Sequence, residues 1–360
     1  MKVFYKQLVL FCLFFCLGFG VFYTAMRFNV PWYGNNDFEE YSKMVEKLFD
    51  NTAISPFAYR VITPTVAHFV HKSGLYFKSK SSTPFEDKFT EHDGNIYSAS
   101  ILQSMMFTNF LFIILACTIT STMISKTLVD FNETIVNILK VFVPILLLLS
   151  LSTIRDGMAA IIEGGGLLTI CILLYFFRAR NFGIFVLVVF ISIFQREIAS
   201  IIFFVYIISI GNFKQDKFYA LTCLTAFISY LVIKIVIYPV AGYDDQTDIH
   251  ALFNNLLGVN KDFFKHVLFG NNVLYASILF SMLACKKLNN FKILLPYFYT
   301  MVFIILLSAA ESIGNNVDRI MNLILPIFLI SLIDLFKMSH LNSPPSLPAM
   351  ESEAQAGSPR

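Results

Sequence analysis

Long apolar runs constrain this chain more than anything else in it. The first extends from Leu8 to about Tyr23, and comparable runs recur almost to residue 336. Backbone N–H and C=O groups in such runs find no water inside a bilayer, so only helices or a closed barrel can satisfy them. The strict apolar/polar alternation of barrel strands is absent from the sequence, and the expectation is an all-α, polytopic transmembrane helix bundle. Composition agrees: 56% of residues are hydrophobic and 14% charged, against about 25% charged in a soluble domain. A net charge of +3 with no long basic block sets nucleic acid aside as a partner. The six cysteines, Cys12, Cys16, Cys117, Cys171, Cys223 and Cys285, fall in or beside apolar runs and show no CxxC spacing. They read as small core or lipid-facing residues rather than metal ligands or disulfide partners.

Lysine and arginine in the short loops assign sidedness. The N-terminus has the charge order of a signal peptide, but Phe19 and Phe22 crowd the place of a cleavage site, so it reads as an uncleaved first helix (about 7–25) starting in the cytoplasm. Further runs at about 101–122, 136–153 and 158–177 follow, the last ending at Arg178-Ala179-Arg180. The run 182–210 is interrupted by Gln195-Arg196-Glu197 and reads as two short spans meeting at the outer face. A seventh run (about 218–240), an eighth returning to Lys286-Lys287, a ninth (about 293–310) and a tenth (about 320–336) complete about ten spans with both termini inside. Residues 1–337 thus form one transmembrane domain with outer loops at 26–98 and 242–272, and 338–360 form a Pro- and Ser-rich cytoplasmic tail expected to be disordered.

In this topology Asp37, Arg60, Arg155, Asp156, Glu163, Arg196, Glu197, Asp318 and Arg319 gather at the outer face, while the inner loops hold mainly lysine and arginine. Ionisable groups beside apolar spans are costly unless paired or lining a hydrated cavity, so a mixed-sign collection is a candidate site. Each member also has a structural reading. Asp37 stands where it would cap an amphipathic helix whose stripe is Phe38, Tyr41, Val45 and Leu48, lying on the membrane with Glu39 and Glu40 as its solvated face. Arg60 lies between Pro56 and Pro64, as a phosphate fork or a snorkelling interfacial residue. Arg155 and Asp156 suit a local ion pair, Arg319 an interfacial anchor. Glu163 follows Asp156 by two helical turns, precedes Gly164-Gly165-Gly166 and falls about one turn inside the bilayer. His68 and His71 read as a structural pair without a third metal ligand, and the acidic patch Asp244, Asp245, Asp248 as a solvated loop. No Walker A loop, dinucleotide glycine pattern, nucleophile elbow or HExxH motif occurs.

One span, a long outer loop with Asp37 before an amphipathic helix, then Pro56-Phe57-Ala58-Tyr59-Arg60-Val61-Ile62-Thr63-Pro64 and later charge pairs: this order resembles the GT-C class of polytopic glycosyltransferases, in particular its bacterial surface-polysaccharide members. The resemblance implies transfer of a sugar from a polyprenyl-phosphate donor to a glycan or lipid-linked acceptor at the periplasmic face of a bacterial inner membrane. It implies Asp37 as the acid acting on the acceptor, with Asp156 or Glu163 as a second acid. Tyr59, Arg60, Arg155, Arg196, Glu197 and Arg319 are then the substrate-binding set, with Arg60, Arg196 and Arg319 clamping the departing phosphate. Asp37-Phe38-Glu39 replaces the paired-acid motif of many members, which leaves a divalent cation, Mg or Mn, an open partner. An O-antigen or exopolysaccharide polymerase or ligase is the alternative within the pathway, and a lipid or polysaccharide flippase the alternative from another class.

Overall fold

In the computed structural model, the residues described are 2–28, 35–48, 53, 60–75, 99–149, 162–211, 213–237, 288–310 and 322–341. Every regular element among them is helical: α1 (Lys2–Phe28), α2 (Asn35–Glu46), α3 (Ile62–Lys72), α4 (Ala99–Thr127), α5 (Glu133–Leu148), α6 (Glu163–Arg178), α7 (Phe182–Ser192), α8 (Ile198–Ser209), α9 (Phe213–Val232, continued by a π turn Ile233–Ile237), α10 (Leu288–Ala310) and α11 (Leu325–Leu341). Among the described residues, three helical stretches are long and apolar enough to cross a membrane, Tyr5–Thr24, Ser100–Thr127 and Lys214–Ile237, with mean hydropathies of 2.0, 1.8 and 2.2. Twenty residues of helix rise about 30 Å, the thickness of a hydrocarbon core. Helices stand at nine of the ten expected span positions; the eighth lies outside the described residues.

Helix α4 is the hub, packing against α1, α2, α3, α5, α6 and α11. Its many hydroxyls would be costly in an apolar setting, but Ser104, Thr108, Thr118, Thr122 and Ser125 each donate to the carbonyl four residues back in the same helix. With the hydroxyl protons satisfied internally, the small side chains let neighbours approach closely. Gly18 does the same for α1: a β-carbon there would stand 3.0 Å from both Phe110 and Ile114. Phenylalanine fills this seam, with Phe22 stacked on Phe110 at 4.7 Å between ring centroids and Phe15 against Phe110 at 5.2 Å. A second aromatic knot, Phe177, Phe185, Phe203 and Tyr219, joins α6 to α9. The outward faces of α1 and α9 stay apolar, as Leu8, Val9, Leu17, Leu221, Ile228 and Val236 are exposed. Apolar stripes of this length are costly in water and suit lipid.

One end of the bundle is tied by charges. Arg178 grips Asp334 with two hydrogen bonds of 2.7 Å, and its Nη2 also reaches Thr127. Lys337 donates to the Thr127 carbonyl at 3.0 Å, and Arg180 pairs with buried Asp216 at the start of α9. Several boundaries differ from the sequence expectation. Helix α1 begins at Lys2 and α11 runs to Leu341, because backbone hydrogen bonding continues past the apolar stretch. Helix α6 begins at Glu163 rather than near 158, and α2 begins at Asn35, so Asp37 falls within the first turn and not at the cap. An acidic residue in a first turn still suits the positive end of the helix dipole. Nor does α2 lie by itself on a membrane. Tyr41, Met44 and Val45 are buried where it packs on α3 and α4, and His68 Nδ1 donates to the Val45 carbonyl at 2.6 Å.

Candidate functional site

Three glycines after Glu163 build the site at the far end of α6. Successive helical residues point about 100° apart, so Gly164, Gly165 and Gly166 open three sides of the helix start. A β-carbon on Gly164 would stand 2.8 Å from the Asn109 carbonyl oxygen of α4. On Gly165 it would collide with Gln195 Nε2 and stand 2.7 Å from Thr63 Oγ1, and on Gly166 it would stand 2.8 Å from Leu323 Cδ2. Bare backbone therefore admits α4, α3, the α7–α8 turn and the start of α11 around one point.

Gln195 locks that junction. Its Nε2 donates to the Ile162 carbonyl at 3.0 Å and its Oε1 accepts from Thr63 Oγ1 at 3.0 Å, while the Ile62 amide donates to the Phe194 carbonyl at 3.4 Å. These bonds fix the next two residues of the turn, Arg196 and Glu197. Arg196 is 7% exposed and its Nη2 lies 3.4 Å from Oε1 of the fully buried Glu163. Its Nε is buried and meets no hydrogen-bond partner among the described residues. Glu197 occupies the N-cap position of α8 yet makes no cap bond. Its carboxylate instead takes the Arg60 fork, from Nε at 3.0 Å and from Nη2.

Burial by itself raises the Glu197 pKa, but the Arg60 charge and hydrogen bond, helped by Arg196, take it down to about 2. Burial likewise works against the Arg60 guanidinium, whereas the Glu197 charge, with a smaller contribution from Tyr41, leaves its pKa raised. The described cluster is thus two carboxylates interleaved with two guanidiniums, ionised on both sides of the Arg60–Glu197 pair. Each carboxylate faces an arginine, so the described cluster is charge-balanced, and Arg196 Nε is its unmet donor. Among the described residues no group of three His, Cys, Asp or Glu is placed to hold a metal.

Of the residues picked from sequence, Arg60, Glu163, Arg196 and Glu197 come together from α3, α6 and the α7–α8 turn. Asp37 is placed by its backbone in α2, the helix that also carries Tyr41, but its side chain lies outside the described residues. Tyr59, Arg155, Asp156 and Arg319 also lie outside them, as does the helical face expected to join Asp156 to Glu163. Sequence reasoning gave no site role to Thr63, Asn109, Gln195 and Asn322, all buried polar residues. Asn109 carried a signal: an amide deep in a membrane-length run is costly unless it serves packing or function. Comparison with protein-family models, curated proteins and solved structures finds no match to this chain.

Proposed function

We propose that this chain is a membrane glycosyltransferase that moves a sugar from a polyprenyl-phosphate donor to a glycan or lipid-linked acceptor. The reaction takes place at the outer face of a bacterial inner membrane, in surface polysaccharide biosynthesis, with both termini cytoplasmic. The observation that carries the reading is Arg196. It is a nearly buried cation with a donor to spare, set beside a second arginine that Glu197 holds rigidly. Buried polar groups are normally satisfied, and the natural complement of two converging guanidiniums is a phosphate.

Depth supports an interfacial reaction. Helix α6 has 16 residues from Glu163 to Arg178, a rise of about 24 Å against a hydrocarbon core of about 30 Å. With Arg178 at one interface, Glu163 sits about one turn short of the other, where a polar sugar and a lipid phosphate can both reach. Helices α7 and α8, of 11 and 12 residues, rise only about 16–18 Å each and leave a depression above their turn.

In this account the acceptor hydroxyl attacks the anomeric carbon, the carbon–oxygen bond to phosphate breaks, and the phosphate leaves with the electron pair. Arg60 and Arg196 stabilise the developing charge, Glu197 positions Arg60, and Asp37 or Glu163 takes the hydroxyl proton. Asp37→Asn, Arg60→Ala and Arg196→Lys are expected to abolish surface-glycan assembly in the host bacterium while membrane abundance of the protein is retained. Full assembly by all three variants overturns the proposal.

One observation favours a flippase as the second reading: α7 and α8 form a broken helix pair whose turn buries Gln195 and Arg196, as in transporters. A flippase moves its lipid without breaking the sugar–phosphate bond, so release of free polyprenyl phosphate separates the two.

A further inference from the structure

The opposite end of the bundle holds a cavity of about 380 Å³ between α6, α8, α10 and α11. Its lining joins apolar residues, Ile293 and Pro296 among them, to the charged Arg178, Arg180, Lys292 and Asp334. Asp334 is spent on Arg178 through both oxygens. Lys292 is exposed and has no ion-pair partner among the described residues. Arg180 is held by Asp216, so the two ion pairs take up both arginines and the excess positive charge at the cavity is that of Lys292.

The backbone adds an independent sign. Helix α6 ends in a reciprocal pair of bonds, Arg180 N to Phe177 O and Asn181 N to Phe176 O, which places residue 180 at φ 55°. Glycine is the cheap residue for that left-handed position. An arginine occupies it, and its side chain lines the cavity while its guanidinium lies 5.2 Å from the Phe177 ring centre. Local strain kept at a pocket rim is the pattern of a ligand clamp.

We infer that this cavity is a binding site for the phosphate headgroup of an anionic membrane lipid, separate from the Arg60–Glu197 cluster and independent of the reaction proposed there. The charge of Lys292 and the apolar part of the lining match a headgroup with its first acyl carbons, and basic pockets between transmembrane helices recognise lipids in this way.

The test uses the full chain in nanodiscs of phosphatidylcholine alone, of phosphatidylcholine with phosphatidylglycerol, and of phosphatidylcholine with inorganic phosphate added. Thermal unfolding and the lipid retained in native mass spectrometry are read out. Phosphatidylglycerol is expected to raise the unfolding temperature and to be retained selectively. Lys292→Glu, a change of two charge units, is expected to weaken that retention about 25-fold. Lys292→Arg should bind as wild type, and so should Lys6→Glu, which lies on α1 away from the cavity. Equal behaviour with phosphatidylcholine and phosphatidylglycerol overturns the inference, as does undiminished retention by Lys292→Glu or an equal loss in Lys6→Glu. The same stabilisation by inorganic phosphate assigns the site to a soluble phosphate and overturns its lipid assignment.

Discussion

Replacing Glu197 by Gln keeps the shape of the Arg60 partner and removes its charge. Both side chains are largely buried, at 11% and 15% exposure, and joined by two hydrogen bonds. Removing one member of a buried pair leaves the other charge uncompensated, at a cost of about 3–5 kcal/mol. The residual exposure places Glu197→Gln near the lower end, about 3 kcal/mol, or roughly 150-fold in the folded-to-unfolded ratio. Replacing both residues together, Arg60→Met with Glu197→Leu, removes the uncompensated charge and is expected to return stability to within about 1 kcal/mol of wild type. Activity should not return, because the guanidinium proposed to bind phosphate is gone. Equilibrium unfolding in mixed micelles measures the first quantity, and glycan assembly in cells measures the second. A cost below about 1 kcal/mol for Glu197→Gln shows a solvated surface pair, since exposed pairs are worth no more than that. A double variant that is stable and fully active shows a structural strut with no part in the reaction.

Other expectations follow from the same geometry. Gly164→Ala drives a β-carbon to 2.8 Å from the α4 backbone and should destabilise by about 1–3 kcal/mol, whereas Gly20→Ala meets nothing within 4 Å and should stabilise by about 1 kcal/mol through helix propensity; unfolding in micelles reads both. The Glu197 pKa is depressed in the folded protein, to about 2 from an ordinary 4.5. Its contribution to stability is therefore complete above about pH 4.5 and fades as pH falls toward 2. The stability gap between wild type and Glu197→Gln should accordingly be constant from pH 8 to 5 and shrink below that, and a gap that closes at neutral pH contradicts the assignment. Gln195→Ala should loosen the junction of α3 and α6, costing about 1–3 kcal/mol for the groups left unpaired at Thr63 and the Ile162 carbonyl.

The helical class was legible because apolar runs leave the backbone no alternative in lipid, and the split of 182–210 was legible because Gln195-Arg196-Glu197 cannot continue a lipid-facing helix. Convergence of Arg60 with Glu197 across 137 positions was not legible. It depends on Gly164, Gly165 and Gly166 removing the side chains that would keep α3, α4 and the α7–α8 turn apart. Glycine runs say that something approaches, not what. The inward turn of α2 was missed for a related reason: an amphipathic stripe fits a membrane surface or a helix groove equally well, and only packing on α3 and α4 decides between them. Arg180 was read as a marker of sidedness, since nothing in the order of residues reveals that the cavity between α6 and α10 joins it to Lys292.

Photolabelling tests the central claim most directly. The full chain in native membranes is exposed to a polyprenyl phosphate carrying a diazirine near its phosphate, with unlabelled polyprenyl phosphate as competitor, and the labelled peptides are mapped. The account predicts competed labelling on the segments that hold Arg60–Lys72 and Gln195–Glu197, lost in Arg196→Lys. Labelling confined to the Arg180 and Lys292 end, or unchanged by Arg196→Lys, contradicts it.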